Sequence, residues 1–161
     1  MSFSTLIRIL PLVSSATSFM CSAGQQFAVS SFAQPGMPAD TRQAAWYPWF
    51  RQYKNVVLIS APSHLATIAS CIANIVLGSG AGKVSMLWWL AGIFFVFVHA
   101  YPLRLGLAHF ALTEEQWHKK SPGEAQRWVQ DFVDMNNRRL MIADIPGLLC
   151  LFVAVTKSVS A

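Results

Sequence analysis

A chain of 161 residues has the length of one domain. Only 12% of its residues are charged while 54% are hydrophobic, and the mean hydropathy is +0.43, which argues against an ordinary water-soluble domain. The net charge of +5 is modest, and its basic residues cluster between apolar runs, a pattern of membrane topology and not of nucleic-acid binding.

A membrane-crossing helix needs about 20 mostly apolar residues. The first such run is uncharged from Ile9 to Ala39, and a span is expected within residues 6–32. Ser14, Ser18, Ser22, Gln26 and Ser30 recur every four residues along it, the spacing of a face that lets helices pack closely. Cys21-Ser22-Ala23 also resembles a signal-peptide cleavage site. Cleavage there, however, would leave the basic residues of the next link on the wrong side, and the apolar run is long for a signal core. The link that follows, AQPGMPADTRQAAWYPWFRQYK, carries Trp46, Tyr47, Trp49, Phe50 and Tyr53, which reads as an aromatic belt at the headgroups.

The second span is expected at 56–77. Ser60, Ser63, His64, Thr67, Ser70, Cys71 and Asn74 fall mostly at intervals of three and four, hence on one helix face. Lipid offers such a face no partners, so it must meet protein or water. The short turn GSGAGK makes the second and third spans neighbours. The third span, 84–108, has His99 as its strongly polar interior residue. Gly92 and Gly106 stand seven residues to either side on the same face, which predicts that His99 points towards a closely approaching helix. Tyr101 points nearly opposite, Pro102 is expected to kink the helix, Arg104 to snorkel to the headgroups and His109 to lie at the interface.

The third link, TEEQWHKKSPGEAQRWVQDFVDMNNRR, is polar and helix-prone. Ser121-Pro122-Gly123-Glu124 reads as a capping box with proline at the first helical position, and His118 as solvated. The fourth span, 140–159, is interrupted by Asp144, two residues before Pro146. An ionised group inside a span costs about 2.5–3.5 kcal/mol on insertion scales, so Asp144 is expected to have a partner or a function. At about 100° per residue, Asp134, Asn137, Arg138, Met141 and Asp144 share a sector of roughly 120°, with Asn136 and Arg139 pointing elsewhere. Cys21, Cys71 and Cys150 lie far apart in apolar runs and form no C-x-x-C, which argues against a zinc or thiol redox centre.

Basic residues set the orientation. Arg42, Arg51, Lys54, Arg104, Lys119, Lys120, Arg127, Arg138 and Arg139 flank the first and third links, against Arg8, Lys83 and Lys157 on the other side. The expected architecture is therefore an all-α integral membrane four-helix bundle, with an amphipathic helix in the third link. Both termini are expected to be lumenal, in the endoplasmic reticulum or another endomembrane. Counting from the cytosolic helix ends at ~1.5 Å per residue, Asp144 and His99 lie roughly 8 Å deep, Gln25 and Gln26 roughly 10 Å, and His64 roughly 13 Å. The most polar residues of all four spans thus share one leaflet, which predicts a buried polar pocket.

The four spans, the W-Y-x-x-F-x-x-Y pattern after the first span (WYPWFRQY) and the tryptophan-to-N-x-R approach to the last (RWVQDFVDMNNRR) resemble the DUF1772 family, which includes the fungal anthrone oxygenases. That family's proline-rich first link is matched in part by AQPGMPAD. The resemblance implies oxidation of an anthrone-type polyketide to a quinone, with molecular oxygen as co-substrate and no metal or flavin. Such chemistry needs a base, a donor that stabilises the enolate and a greasy slot. On this reading His99 or His64 is the base, and Asp144 orients the histidine or is itself the base. Arg138 or Asn137 stabilises the oxyanion, Gln25 and Gln26 contact the substrate, and Trp46, Trp49 and Trp128 stack on its rings. The expected partners are a hydrophobic aromatic molecule and membrane lipid. Other readings stand beside it: a packing histidine at His99, a structural ion pair of Asp144 with Arg138 or Arg104, a haem protein ligated by His64 and His99, a glutathione-transferase-like membrane protein, or a non-enzymatic membrane partner or chaperone.

Overall fold

Long uncharged runs can satisfy their backbone only within a helix, and helices are what they form. The computed structural model describes residues 3–78, 82–100 and 111–159, and no strand occurs among them. In chain order the elements are α1 (Phe3–Phe32), α2 (Ala39–Tyr53), a single 3₁₀ turn (Lys54–Val56), α3 (Val57–Val76) and α4 (Gly82–Ala100). They are followed by α5 (Glu114–His118), α6 (Pro122–Arg139), a π-helical turn (Leu140–Asp144) and α7 (Ile145–Val159). Three helical stretches, Phe3–Phe32, Val57–Val76 and the continuous Pro122–Val159, are long and apolar enough to cross a membrane, and Ser85–Ala100 is a shorter apolar helix. These apolar helices are consistent with a membrane protein. The second half of the third link, Pro122–Arg139, and the fourth apolar run are one rod, with no break between them. Tyr101, Pro102, Arg104, Gly106 and His109, the 101–108 part of the third span, and residues 79–81 of the GSGAGK turn lie outside the described residues.

Local sequence explains where the helices begin and end. Ser121 and Glu124 form the reciprocal capping box, with Pro122 at the start of α6. A second capping box, Thr113 with Gln116, starts α5. Hydrogen bonds from Ser121, first from its hydroxyl and then from its backbone N–H, hold the Glu124 carboxyl below its ordinary range. Gly78, at φ +58°, ends α3 in the left-handed conformation that favours glycine. Arg42 does more than mark topology: buried, it donates to the carbonyls of Phe32 (2.8 Å), Met37 (3.1 Å) and Gln34 (3.2 Å), which caps the end of α1 and shapes the loop after it. Arg8 donates to Ser158 O at 2.8 Å at the other end of the molecule.

Two packing regions result. α1 packs on α3, α3 on α4, α4 on α7, and α7 back on α1. The inward faces of α1 and α3 are polar: Ser14, Ser18, Ser22, Gln25, Thr67, Ser70 and Asn74 are buried, while Phe27, Leu58, Leu65, Val76, Phe94 and Phe97 are exposed. That inversion of the soluble pattern is the one lipid selects, because a buried hydroxyl finds a partner and an outward Phe finds hydrocarbon. Ser14 and Thr67 bond across the α1–α3 seam at 2.8 Å, and Asn74 donates to Ile7 O at 2.8 Å. The other region is an aromatic core built by α2, α5 and α6 against the end of α1. Trp46, Phe50, Trp117, Val129 and Phe132 are fully or almost fully buried there. The first-link aromatics expected to form a headgroup belt are thus largely the inside of this core. Trp46 sits edge-on to Phe132 at 5.6 Å and stacks on Phe50 at 5.6 Å.

Candidate functional site

The site begins with two glycines that let α4 and α7 approach. A Cβ on Gly92 would lie 2.9 Å from Leu151 Cγ, and one on Gly147 would lie 3.0 Å from Phe95 Cβ. His99 lies two turns beyond Gly92 on the same face, and Asp144 lies just before Gly147. The close contact therefore brings a ring and a carboxylate together that are 45 positions apart, with Nδ1 and Oδ1 at 2.5 Å. The π turn contributes to this placement. Pro146 has no N–H to donate and its ring crowds the carbonyl of residue 142, and the widened turn just before it relieves that clash. There Ile145 N–H reaches back five residues to Leu140 O.

The histidine of α3 joins from the opposite side. The His64 ring centroid lies 4.2 Å from that of His99, with the ring planes at 51°. His64 Nε2 is 2.8 Å from Ser18 Oγ on α1. Ser18 thus bonds His64 and His99 bonds Asp144, with the two imidazole rings in contact between the pairs. These four residues border a cavity of about 20 Å³, also lined by Ser15, Phe19, Phe95 and Val96. The side chains of His99 and Asp144 are 14% and 7% exposed, so bulk water does not compete for their contact. Asp144 Oδ2 is buried with no hydrogen-bond partner among the described residues, leaving one lone-pair face of the carboxylate open to a donor. With Nδ1 engaged by the carboxylate, Nε2 is the nitrogen of His99 left to exchange a proton. Among the described residues no group of three or more His, Cys, Asp or Glu is arranged to hold a metal ion.

The other sequence-selected residues fall elsewhere. Asn137 and Arg138 are exposed, as is Met141. The buried face of the Pro122–Val159 rod runs through Val129, Phe132, Val133, Asn136, Leu140, Ala143 and Gly147. Asn136 and Arg139, not Asn137 and Arg138, therefore turn towards α1. Asp134, Asn137, Arg138 and Met141 are rotated away from the apolar stripe, which itself carries the signal: Asn136 stands in line with Val129, Phe132, Leu140 and Ala143. Asp134 accepts from Gln130 Nε2 at 2.9 Å.

Gln25 and Gln26 belong to a second polar cluster with Ser22, two turns along α1 from Ser18. Arg139 Nη2 donates to Gln25 Oε1 at 3.0 Å, to Ser22 Oγ at 3.4 Å and to Asn136 Oδ1. Asn136 Nδ2 donates to Gln26 Oε1 at 2.9 Å and to Ser22 O at 3.4 Å. Tyr53 Oη donates to Gln25 Oε1 at 2.8 Å. Burial pushes the Tyr53 phenol above its ordinary range, and the nearby Arg139 charge offsets part of that rise. Of the tryptophans, Trp46 is enclosed in the aromatic core, Trp49 is half-buried and stacks on Tyr53 at 5.5 Å, and Trp128 lies beneath the Lys120 ammonium at 4.5 Å. None of the three lines the His64–His99–Asp144 cavity. Comparison with protein-family models, with curated proteins and with solved structures gives no match to this chain.

Proposed function

We propose that the chain is a four-helix membrane enzyme in which α1, α3, α4 and α7 cross the bilayer. In this reading the α2 and α5–α6 core lies on the cytosolic side and both termini lie in the lumen of an endomembrane. The buried centre abstracts a proton from an acidic C–H of a hydrophobic, phenol-bearing aromatic, and molecular oxygen oxidises the resulting carbanion without a resident metal or flavin. One observation carries the reading: a His–Asp pair at 2.5 Å, with a second histidine beside it, enclosed by helices that are otherwise apolar on the outside. A structural role alone does not call for three ionisable groups in contact, each costly to bury. The resemblance of the link motifs to anthrone oxygenases supplies the substrate class.

The chemistry balances with oxygen alone. His99 Nε2 takes a proton from the anthrone CH₂, and Asp144 steadies the imidazolium through Nδ1–H. The carbanion passes one electron to O₂, and the radical pair joins as a hydroperoxide anion, which takes the proton back. Loss of water across the remaining C–H and the O–O bond leaves a ketone. One O₂ is consumed, with one oxygen atom ending in the quinone and one in water. The 20 Å³ cavity is sized for a molecule such as water or dioxygen, whereas ligand sites for drug-sized molecules run to about 300 Å³ or more. Substrate entry in this mechanism requires Phe19 and Phe95 to move aside. Membranes containing the protein should convert 1,8-dihydroxyanthrone to its quinone under oxygen and not under argon. Full turnover by His99→Ala would remove that histidine from the mechanism.

The small cavity also favours a second reading, a non-enzymatic membrane partner or chaperone in which the polar faces only hold helices together. Alanine at His99 would then lower stability and leave metabolite output unchanged. The bis-histidine haem reading fits less well. Metal–imidazole bonds of about 2 Å on each side plus the two half-rings place such centroids about 6 Å apart, against the 4.2 Å between His64 and His99.

A further inference from the structure

The Arg139 cluster is built like a receptor for negative charge. A guanidinium carries five donors and a permanent charge. Here its Nη2 is turned inward, where its partners are the neutral oxygens of Ser22 and Gln25 on α1 and of Asn136 one turn back on its own helix, with the Tyr53 phenol also beside the guanidinium. None of the ion pairs among the described residues involves Arg139. Its Nε is buried without an acceptor. Asn136, 1% exposed, accepts from Nη2 through Oδ1. Neutral dipoles orient such a cation but do not neutralise it, and leaving a partly buried charge uncompensated is costly. Arginine's planar fork matches the two oxygens of a carboxylate, or a phenolate beside a carbonyl.

The cluster also lies where such a group would be useful. Ser22 touches Arg139 and Ser18 touches His64, and the two serines are one turn apart on α1, roughly 6 Å. We propose that Arg139 is a ligand-recognition residue that binds an anionic oxygen, carboxylate or phenolate, of a flat aromatic ligand whose acidic carbon is directed towards His99. The direction towards His99 rests on the enzymatic reading above; the anion site itself does not.

The test uses the full chain in discs of neutral phosphatidylcholine, with binding followed by quenching of tryptophan fluorescence. The probes are anthraquinone-2-carboxylate and uncharged anthraquinone. Wild type should bind the carboxylate at least about tenfold more tightly, the scale of a charge-assisted hydrogen-bond pair. Arg139→Gln should bind the two probes equally, Arg139→Lys should keep part of the preference, and His99→Ala should keep all of it. Equal binding of the two probes by wild type, which needs no variant to fold, would overturn the proposal. So would a preference that survives Arg139→Gln. Loss of carboxylate binding on adding phosphatidylserine would assign the site to a lipid headgroup and overturn the small-molecule ligand. An Arg139-dependent preference in a protein that never turns over an anthrone would uphold the anion site and sink the oxygenase reading. Turnover without the preference would do the reverse.

Discussion

Asp144→Asn separates chemistry from architecture. The amide is nearly isosteric, and its oxygen can still accept from His99 Nδ1–H, so the 2.5 Å contact loses its charge but not its geometry. A hydrogen bond to a charged group contributes about 1.5–3 kcal/mol and a neutral one about 1 kcal/mol, so the pair gives up roughly 0.5–2 kcal/mol. Against that, an ionised Asp within an apolar helix costs about 2.5–3.5 kcal/mol on insertion scales, a cost the amide largely avoids. The second term exceeds the first by about 0.5–3 kcal/mol, so the variant should be more stable than wild type. Turnover should behave differently. The imidazolium formed when His99 takes a proton loses its counter-charge, and general-base contributions of this kind are about 10²–10⁴-fold. Thermal unfolding in detergent and initial rates of quinone formation, measured on the same preparation, decide the matter. A rate within twofold of wild type would refute the reasoning. So would a rate loss that merely tracked a loss of stability, because the carboxylate would then be structural.

Gly92→Ala should cost about 1–3 kcal/mol, because Leu151 is fully buried and has nowhere to retreat from a new methyl group. It should also lower activity, since the same contact sets the His99–Asp144 distance; unchanged melting would contradict the close α4–α7 approach. Trp46→Ala should destabilise by about 3–5 kcal/mol through loss of the aromatic core, and a raised KM with unchanged stability would instead make Trp46 a ligand-stacking residue. Glu124 has its pKa lowered by folding, so its capping box stabilises fully above about pH 4.5, its unfolded value, and that contribution fades as pH falls through the folded value. Acid titration of wild type against Glu124→Gln should give curves that diverge above that pH and converge below it.

What the sequence made legible was mostly one-dimensional. Uncharged length marks the apolar helices, Ser121 and Glu124 mark the start of α6, and Gly92, two turns from His99, marks a face for close contact. That His99 meets Asp144 was not legible, because it depends on α4 choosing α7 as its neighbour and on a π turn before Pro146, neither of which a helical wheel encodes. Asn136 and Arg139 face inward for a physical reason. Phasing the helix on Asn137 and Arg138 picks the solvent face, whereas phasing it on Phe132, Leu140 and Ala143 points to the buried side; Asp144, at the end of the π turn, faces inward. Trp46 and Phe50 carry the composition of a headgroup belt, and only the packing of α2 on α5 and α6 reveals them as a core. Arg42 has the sequence position of a topology-setting cation, yet it caps α1 because the loop after that helix folds back over it.

The central claim is that this polar centre performs cofactor-independent oxygen chemistry. The most direct measurement is oxidation of 1,8-dihydroxyanthrone by the purified protein under ¹⁸O₂ in the presence of a metal chelator. The account predicts protein-dependent uptake of one O₂ per substrate, one ¹⁸O atom in the new quinone carbonyl, and loss of that incorporation in Asp144→Asn. Oxidation no faster than in protein-free micelles, or a quinone oxygen derived from water, would contradict it.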